Sequence, residues 1–214
     1  MQALASPLPP LSSALEPAAA SAGVPARRHA VGDYALDERS MQQFNALMER
    51  LHHPPLASDQ LATAARDLYR LGGIRCPDPI ARRLAIASQI DRMLADHDWS
   101  PSRDALEPAR LVVDYLHSDH GLIPPYVPVV GHLDDAIVVD AAWPYLADEI
   151  ADYVDYCRLR AIEASLHGGV WPPHFSRTDW LQARRDEAAL IDHCRRVGAS
   201  SYVPEAAPAR FAVH

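Results

Sequence analysis

Six side chains able to hold a metal or move a proton crowd into one stretch of the chain: His117, Asp119, His120, His132, Asp134 and Asp135. Imidazole together with carboxylate suits zinc or manganese, and carboxylate alone suits magnesium or calcium. The spacing matches no recognised ligand pattern, since no His-x-x-x-His pair occurs. The metal reading therefore rests on His120, His132, Asp134 and Asp135 converging in the fold. The plain alternative is that the paired aspartates open a helix, where carboxylates favour the positive end of the dipole. A second group, Asp148, Asp152 and Asp155, falls at spacings of four and three and shares one helix face. Between Asp104 and Cys157 there are eleven acids and one arginine, Arg110, which would suit a basic partner or simply a solvated face. Nucleophiles are poorly represented. Cys76, Cys157 and Cys194 lie far apart with no Cys-x-x-Cys, and are expected to be free, buried thiols. There is no Gly-x-Ser-x-Gly elbow and no Gly-Lys-Ser/Thr phosphate loop.

The elements that must position these groups meet at Leu122–Trp143, LIPPYVPVVGHLDDAIVVDAAW. Pro124, Pro125 and Pro128 fix φ and lack N–H groups, so residues 122–130 cannot form an ordinary helix. Leu122, Ile123, Tyr126, Val127, Val129 and Val130 are too apolar for a surface loop. The expected structure is an extended, buried, proline-rich connector. Gly131 then turns the chain. Asp134 and Asp135 fall in the first turn of a helix whose next residues, Ile137 to Ala142, have almost no polar face and demand burial on most sides.

Ile123-Pro124, Val127-Pro128-Val129-Val130-Gly131 and Leu133-Asp134-Asp135, in that order and spacing, resemble the YkvA-like domain of unknown function, a family of small bacterial proteins. The resemblance covers about residues 107–146. It implies a helical domain with Pro124, Pro128, Gly131, Asp134 and Asp135 as its structural motif, and little chemistry. Gly121 and Pro125 stand where the family carries aspartates, so any role of those acids does not carry over.

On either side the pattern is helical. Met41, Phe44, Leu47, Met48 and Leu51 recur on one face of a helix over 37–52. Ser58, Asp78-Pro79 and Ser100-Pro101 start three more. Pro108 is expected to interrupt the last of these, and Pro144 to kink or divide the next. Tyr145–Leu166 continues with apolar spacing, and a last helix starts at Ser176 or Thr178 and ends near Gly198. Trp171, His174 and Phe175 fall in the loop before it, and Trp180 is placed to pack that helix. Residues 1–35, rich in Ala, Ser and Pro, are expected to be disordered, with PLPPL at 7–11 as a polyproline-like stretch inside a plain tail. Residues 199–214 form a second flexible tail.

The sum is an all-α chain: one compact domain of about seven or eight helices over 36–198, with the YkvA-like segment inside it and loose tails. The net charge of −8 argues against a nucleic-acid partner. The apolar stretch 122–147 is broken by four prolines and by Asp134, Asp135 and Asp140, so it is no membrane span. The N-terminus lacks the basic and apolar regions of a signal peptide. The expected function is a cytoplasmic, non-enzymatic interaction or accessory module with a protein partner and no cofactor. Its runner-up is a metal-dependent hydrolase built on the paired aspartates, and a third reading is a peripheral membrane protein.

Overall fold

The computed structural model describes residues 8–16, 30–72, 76–119, 121–166 and 175–200. Six α-helices dominate them: α1 (Glu38–Arg50), α2 (Ser58–Gly72), α3 (Asp78–Ala95), α4 (Arg103–Leu116), α5 (Leu133–Leu166) and α6 (Arg177–Ser200). A short antiparallel hairpin, β1 (Ala30–Val31) with β2 (Tyr34–Ala35), and one 3-10 turn at Ser13–Leu15 complete the described elements.

The starts of the helices follow local chemistry. Asp37 caps α1 by accepting the Ser40 N–H at 2.9 Å. Ser176 and Asp179 cap α6 reciprocally, the Ser176 N–H donating to Asp179 at 2.8 Å and the Asp179 N–H to Ser176 Oγ at 3.4 Å. Thr178 does not cap it. Among the described residues there are six α-helices rather than seven or eight, because neither internal proline breaks its helix. Pro108 lies inside α4 and Pro144 inside α5, which runs unbroken for 34 residues. Each ring forfeits one backbone bond, and the packing around α5 outweighs that loss: Val138, Val139, Ala142 and Leu146, on both sides of Pro144, are fully buried.

The chain divides into two compact units, Met1–Cys157 and Arg158–His214, with the boundary inside α5. Tyr156 is the last large side chain of α5 that is buried; Ile162 and Leu166 beyond it are exposed. Within the first unit, Phe44, Met48, Leu61, Leu68, Ile80, Ile90, Met93 and the apolar run of α5 make the core. Among the described residues no helix is long and apolar enough to cross a membrane.

Parts of the region expected to be a loose tail are packed. Leu11 and Val31 are buried, and the hairpin turns at Gly32 with φ +60°. A single positive φ at the first turn residue is the II′ requirement that glycine meets. A Cβ there would stand 3.1 Å from Tyr69 Oη. The thiols also differ from expectation. All three are free, but Cys76 and Cys194 are exposed and Cys157 is half-buried.

Candidate functional site

The segment between α4 and α5 is a chain of tight turns, where an extended connector was expected. The Val127 N–H donates to Pro124 O at 3.0 Å, Val130 to Pro128 O at 2.7 Å and Leu133 to Val130 O at 3.0 Å. The middle bond spans only two residues around Val129, whose φ is +67°. That is a γ-turn of the rare, strained hand, at a β-branched residue that resists positive φ. Such geometry persists only where the surroundings impose it. Three prolines narrow the alternatives, and burial of Leu122, Ile123, Val127 and Val130 anchors the turns. Gly131 is required for a steric reason: a Cβ there would lie 2.6 Å from Pro125 O and 2.8 Å from Val127 O.

Asp134, in the first turn of α5, is the pin. It is 1% exposed, and its Oδ2 accepts two bonds, from Tyr115 Oη at 2.7 Å and from the Ile123 N–H at 3.0 Å. Tyr115 Oη in turn accepts the Leu122 N–H at 3.0 Å. One carboxylate oxygen and one phenol therefore satisfy the two backbone donors at the start of the turn segment. Tyr115 is held by an edge-on contact with Phe44, ring centroids 5.8 Å apart. At the far end, Tyr69 Oη donates to Pro128 O at 2.8 Å. Gly121 stands beside the pin, where a Cβ would come 3.4 Å from Asp134 Oδ2.

The electrostatics of the pin are costly. Asp134 Oδ1 is buried with no hydrogen-bond partner. Burial, then the neighbouring charge of Asp135, push the Asp134 carboxyl up to about 6 against the bonds from Ile123 and Tyr115 that hold it down. Burial, followed by the charge of Asp134, also raises the Tyr115 phenol above its usual range, so it stays a donor at neutral pH. Asp135 faces a different partner, His132 Nδ1 at 2.7 Å.

Of the four expected metal ligands, the three described, His132, Asp134 and Asp135, do not converge on one point. His120 lies outside the described residues. His132 and Asp135 satisfy each other, while Asp134 turns inward onto Tyr115 and Ile123. His117 is exposed and stands 3.9 Å from Asp91, and Asp119 is exposed. Among the described residues no group of three His, Cys, Asp or Glu side chains is placed to hold a metal ion. Asp134 and Asp135 both fall in the first turn of α5 as expected, and burial raises the Asp134 carboxyl even at that favourable end of the helix.

Asp148, Asp152 and Asp155 do share α5. Asp148 is exposed, and Asp152 and Asp155 are half-buried. Their neighbour Glu149 is a buried structural carboxylate. It accepts Trp99 Nε1 at 3.0 Å and the Ser102 N–H, at the start of α4, at 3.2 Å. Trp99 packs with Tyr153 and Tyr156 at centroid distances of 5.6 and 4.8 Å.

Sequence reasoning missed two residues. Tyr126, read as part of a buried run, is 78% exposed at the tip of the pinned turns, with Pro125 and Pro128 exposed around it. Arg83, an unremarked residue of α3, is 1% exposed and bonds Asp140 Oδ1 at 2.7 Å through Nε. Burial holds the Asp140 carboxyl above its ordinary range even with Arg83 beside it. The one sequence signal that separates Arg83 from Arg82 is its phase with Ile80, Ala87 and Ile90 on the α3 core face.

Compared with protein-family models, curated proteins and solved structures, the chain gives no match.

Proposed function

We propose that this protein is a non-enzymatic interaction module, an accessory or regulatory factor of the YkvA-like type, and that its contact surface is the turn segment 121–132 with Tyr126 at its tip. The observation that carries the reading is the exposure of Tyr126 on a strained segment tied down at both ends. A loop held by Asp134, Tyr115 and Tyr69 loses little conformational entropy when a partner engages it. Tyrosine suits such a tip, because its ring offers contact area and its hydroxyl a hydrogen bond. Pro124, Pro128, Gly131 and Asp134 act in this reading as the frame that presents it. The acidic face of Asp148, Asp152 and Asp155 favours a basic protein partner over nucleic acid or anionic lipid. The module acts in the cytoplasm and without a cofactor.

The test is site-specific photo-crosslinking in the native host from a photoreactive phenylalanine at position 126, with the same probe at exposed Asp104 as control. A partner trapped at 126, absent at 104 and lost from pull-downs with Tyr126→Ala supports the reading. Equal capture at both positions rejects it.

One observation favours a second reading. Asp134 Oδ1 is buried and unpartnered, which is what a metal-dependent hydrolase using Asp134 and Asp135 would leave open for a cation. Metal titration separates the two readings.

A further inference from the structure

Residues 8–16 bond to α2 and α3 and line a cleft with α5, with a single 3-10 turn at Ser13–Leu15. Their attachment resembles peptide docking more than core packing. Pro9 O accepts from Arg83 Nη2 at 2.6 Å, Ser12 Oγ donates to Asp67 at 3.0 Å, and Ala14 O accepts from Gln60 at 3.4 Å. Two of these three bonds use the segment's backbone carbonyls, and only one uses a side chain. Leu11 alone among its side chains is buried, while Pro9, Pro10 and Glu16 are exposed. Ser12 organises the turn internally, its Oγ accepting the Ala14 N–H at 3.2 Å.

On the receiving side, Arg83 has partners other than the segment. Arg83 is fixed by Asp140 through Nε and by Pro79 O through Nη1 at 2.9 Å, both from the helical body. That leaves Nη2 aimed at whatever carbonyl lies above it. Beside the segment a cleft of about 230 Å³ is left open between Leu11 and Leu15 on one side and His53, Leu56, Ile137 and Asp140 on the other. The groove is thus incompletely filled by the residues lying in it. Thirteen residues, 17–29, separate the segment in sequence from Ala30, where β1 begins.

We propose that this groove is a peptide-docking site carrying its ligand in cis: residues 8–16, an extended Pro-Pro-Leu-Ser segment, dock reversibly and exchange with the same segment supplied from outside. Recognition is by the Arg83 guanidinium on a backbone carbonyl, an apolar slot for leucine and the Asp67 carboxylate on a hydroxyl one residue later. This site is separate from the Tyr126 surface, and its failure leaves the interaction reading of that surface intact.

The test uses the full chain with a protease recognition sequence inserted between Ala19 and Ala20, cut after folding. The freed segment becomes a ligand in trans. The expected result is that it co-elutes with the body at high concentration and is lost on dilution. The body keeps its helical circular dichroism, and a fluorescent peptide of residues 7–16 then binds saturably. The Leu11→Asp peptide should bind at least about tenfold more weakly, as loss of a buried leucine contact demands. The proposal is overturned if the cut segment never leaves on dilution, if the body unfolds when it leaves, or if the peptide fails to bind saturably. Indifference of binding to Leu11→Asp overturns it equally.

Discussion

Replacing Asp134 by asparagine should change how stability depends on pH. In the unfolded chain this carboxyl titrates near 3.8, and in the fold it is pushed up to about 6. The folded state therefore holds the proton more tightly, and stability falls as pH rises through that window. A shift of this size corresponds to about 3 kcal/mol, present below pH ~4 and lost above pH ~6. The asparagine side chain keeps the shape and can still accept the bonds from Tyr115 and Ile123 through its oxygen. Its amide nitrogen then occupies the unpartnered Oδ1 position, at a cost of about 1–3 kcal/mol for a buried unmet donor. The protonated wild type shares that cost, because its own O–H sits at the same unpartnered oxygen, so at pH 4.5 the two proteins should agree within about 1 kcal/mol. At pH 7 the wild type instead buries a charge, and Asp134→Asn should be the more stable by about 2–3 kcal/mol. The assay is urea unfolding followed by circular dichroism at half-unit steps from pH 4 to 8, read as the difference between the two proteins. Parallel curves would refute the reasoning, because other titrating groups cancel in that difference and Asp134 alone remains.

Gly131→Ala should destabilise by about 1–3 kcal/mol, the usual cost of forcing atoms into filled space, because the new methyl meets two backbone carbonyls that cannot swing aside; chemical denaturation checks it. Val129→Gly should hold or raise stability, since left-handed backbone costs a branched residue about 1–2 kcal/mol and glycine much less; a clear loss in thermal unfolding would show the turn is unstrained. Glu149→Ala should cost about 2–4 kcal/mol, leaving Trp99 Nε1 and the Ser102 N–H without their charged acceptor, and tryptophan fluorescence should report the disturbed Trp99. Tyr126→Ala should leave the unfolding midpoint within experimental error, because the ring is exposed.

The helices were legible because their signals are local. Asp37, Pro79 and Ser176 stand at or beside real helix starts, and the spacing of Met41, Phe44 and Met48 marks a face that the fold buries. The apolar run from Ala136 to Ala142 required burial on most sides and receives it. What escaped were outcomes decided by distant partners. Pro144 signals a break in isolation, but packing on both sides of it carries α5 through. The proline-rich connector had to be non-helical, yet nothing local reveals that Asp134, Tyr115 and Tyr69 would fold it into tight turns. The pairing of Asp134 with Tyr115 crosses 19 residues, and that of Arg83 with Pro9 crosses 74. Composition likewise gave residues 8–16 no reason to dock, because the groove that receives them comes from three helices far away in sequence. His132, Asp134 and Asp135 are neighbours in the chain, but nothing local reveals that Asp134 turns onto Tyr115 and Ile123 while His132 and Asp135 face each other.

Whether Asp134 is a structural pin or a ligand is decided most directly by thermal unfolding of the wild type and of the Asp134→Asn, Asp135→Asn double variant. Both are scanned in EDTA and then with Zn²⁺, Mn²⁺, Mg²⁺ and Ca²⁺ in turn. If Asp134 is a structural pin, no metal moves the wild-type midpoint beyond the shift it gives the double variant. A metal that raises the midpoint of the wild type alone would contradict it, since only a native-state site made by those aspartates links binding to stability in that way.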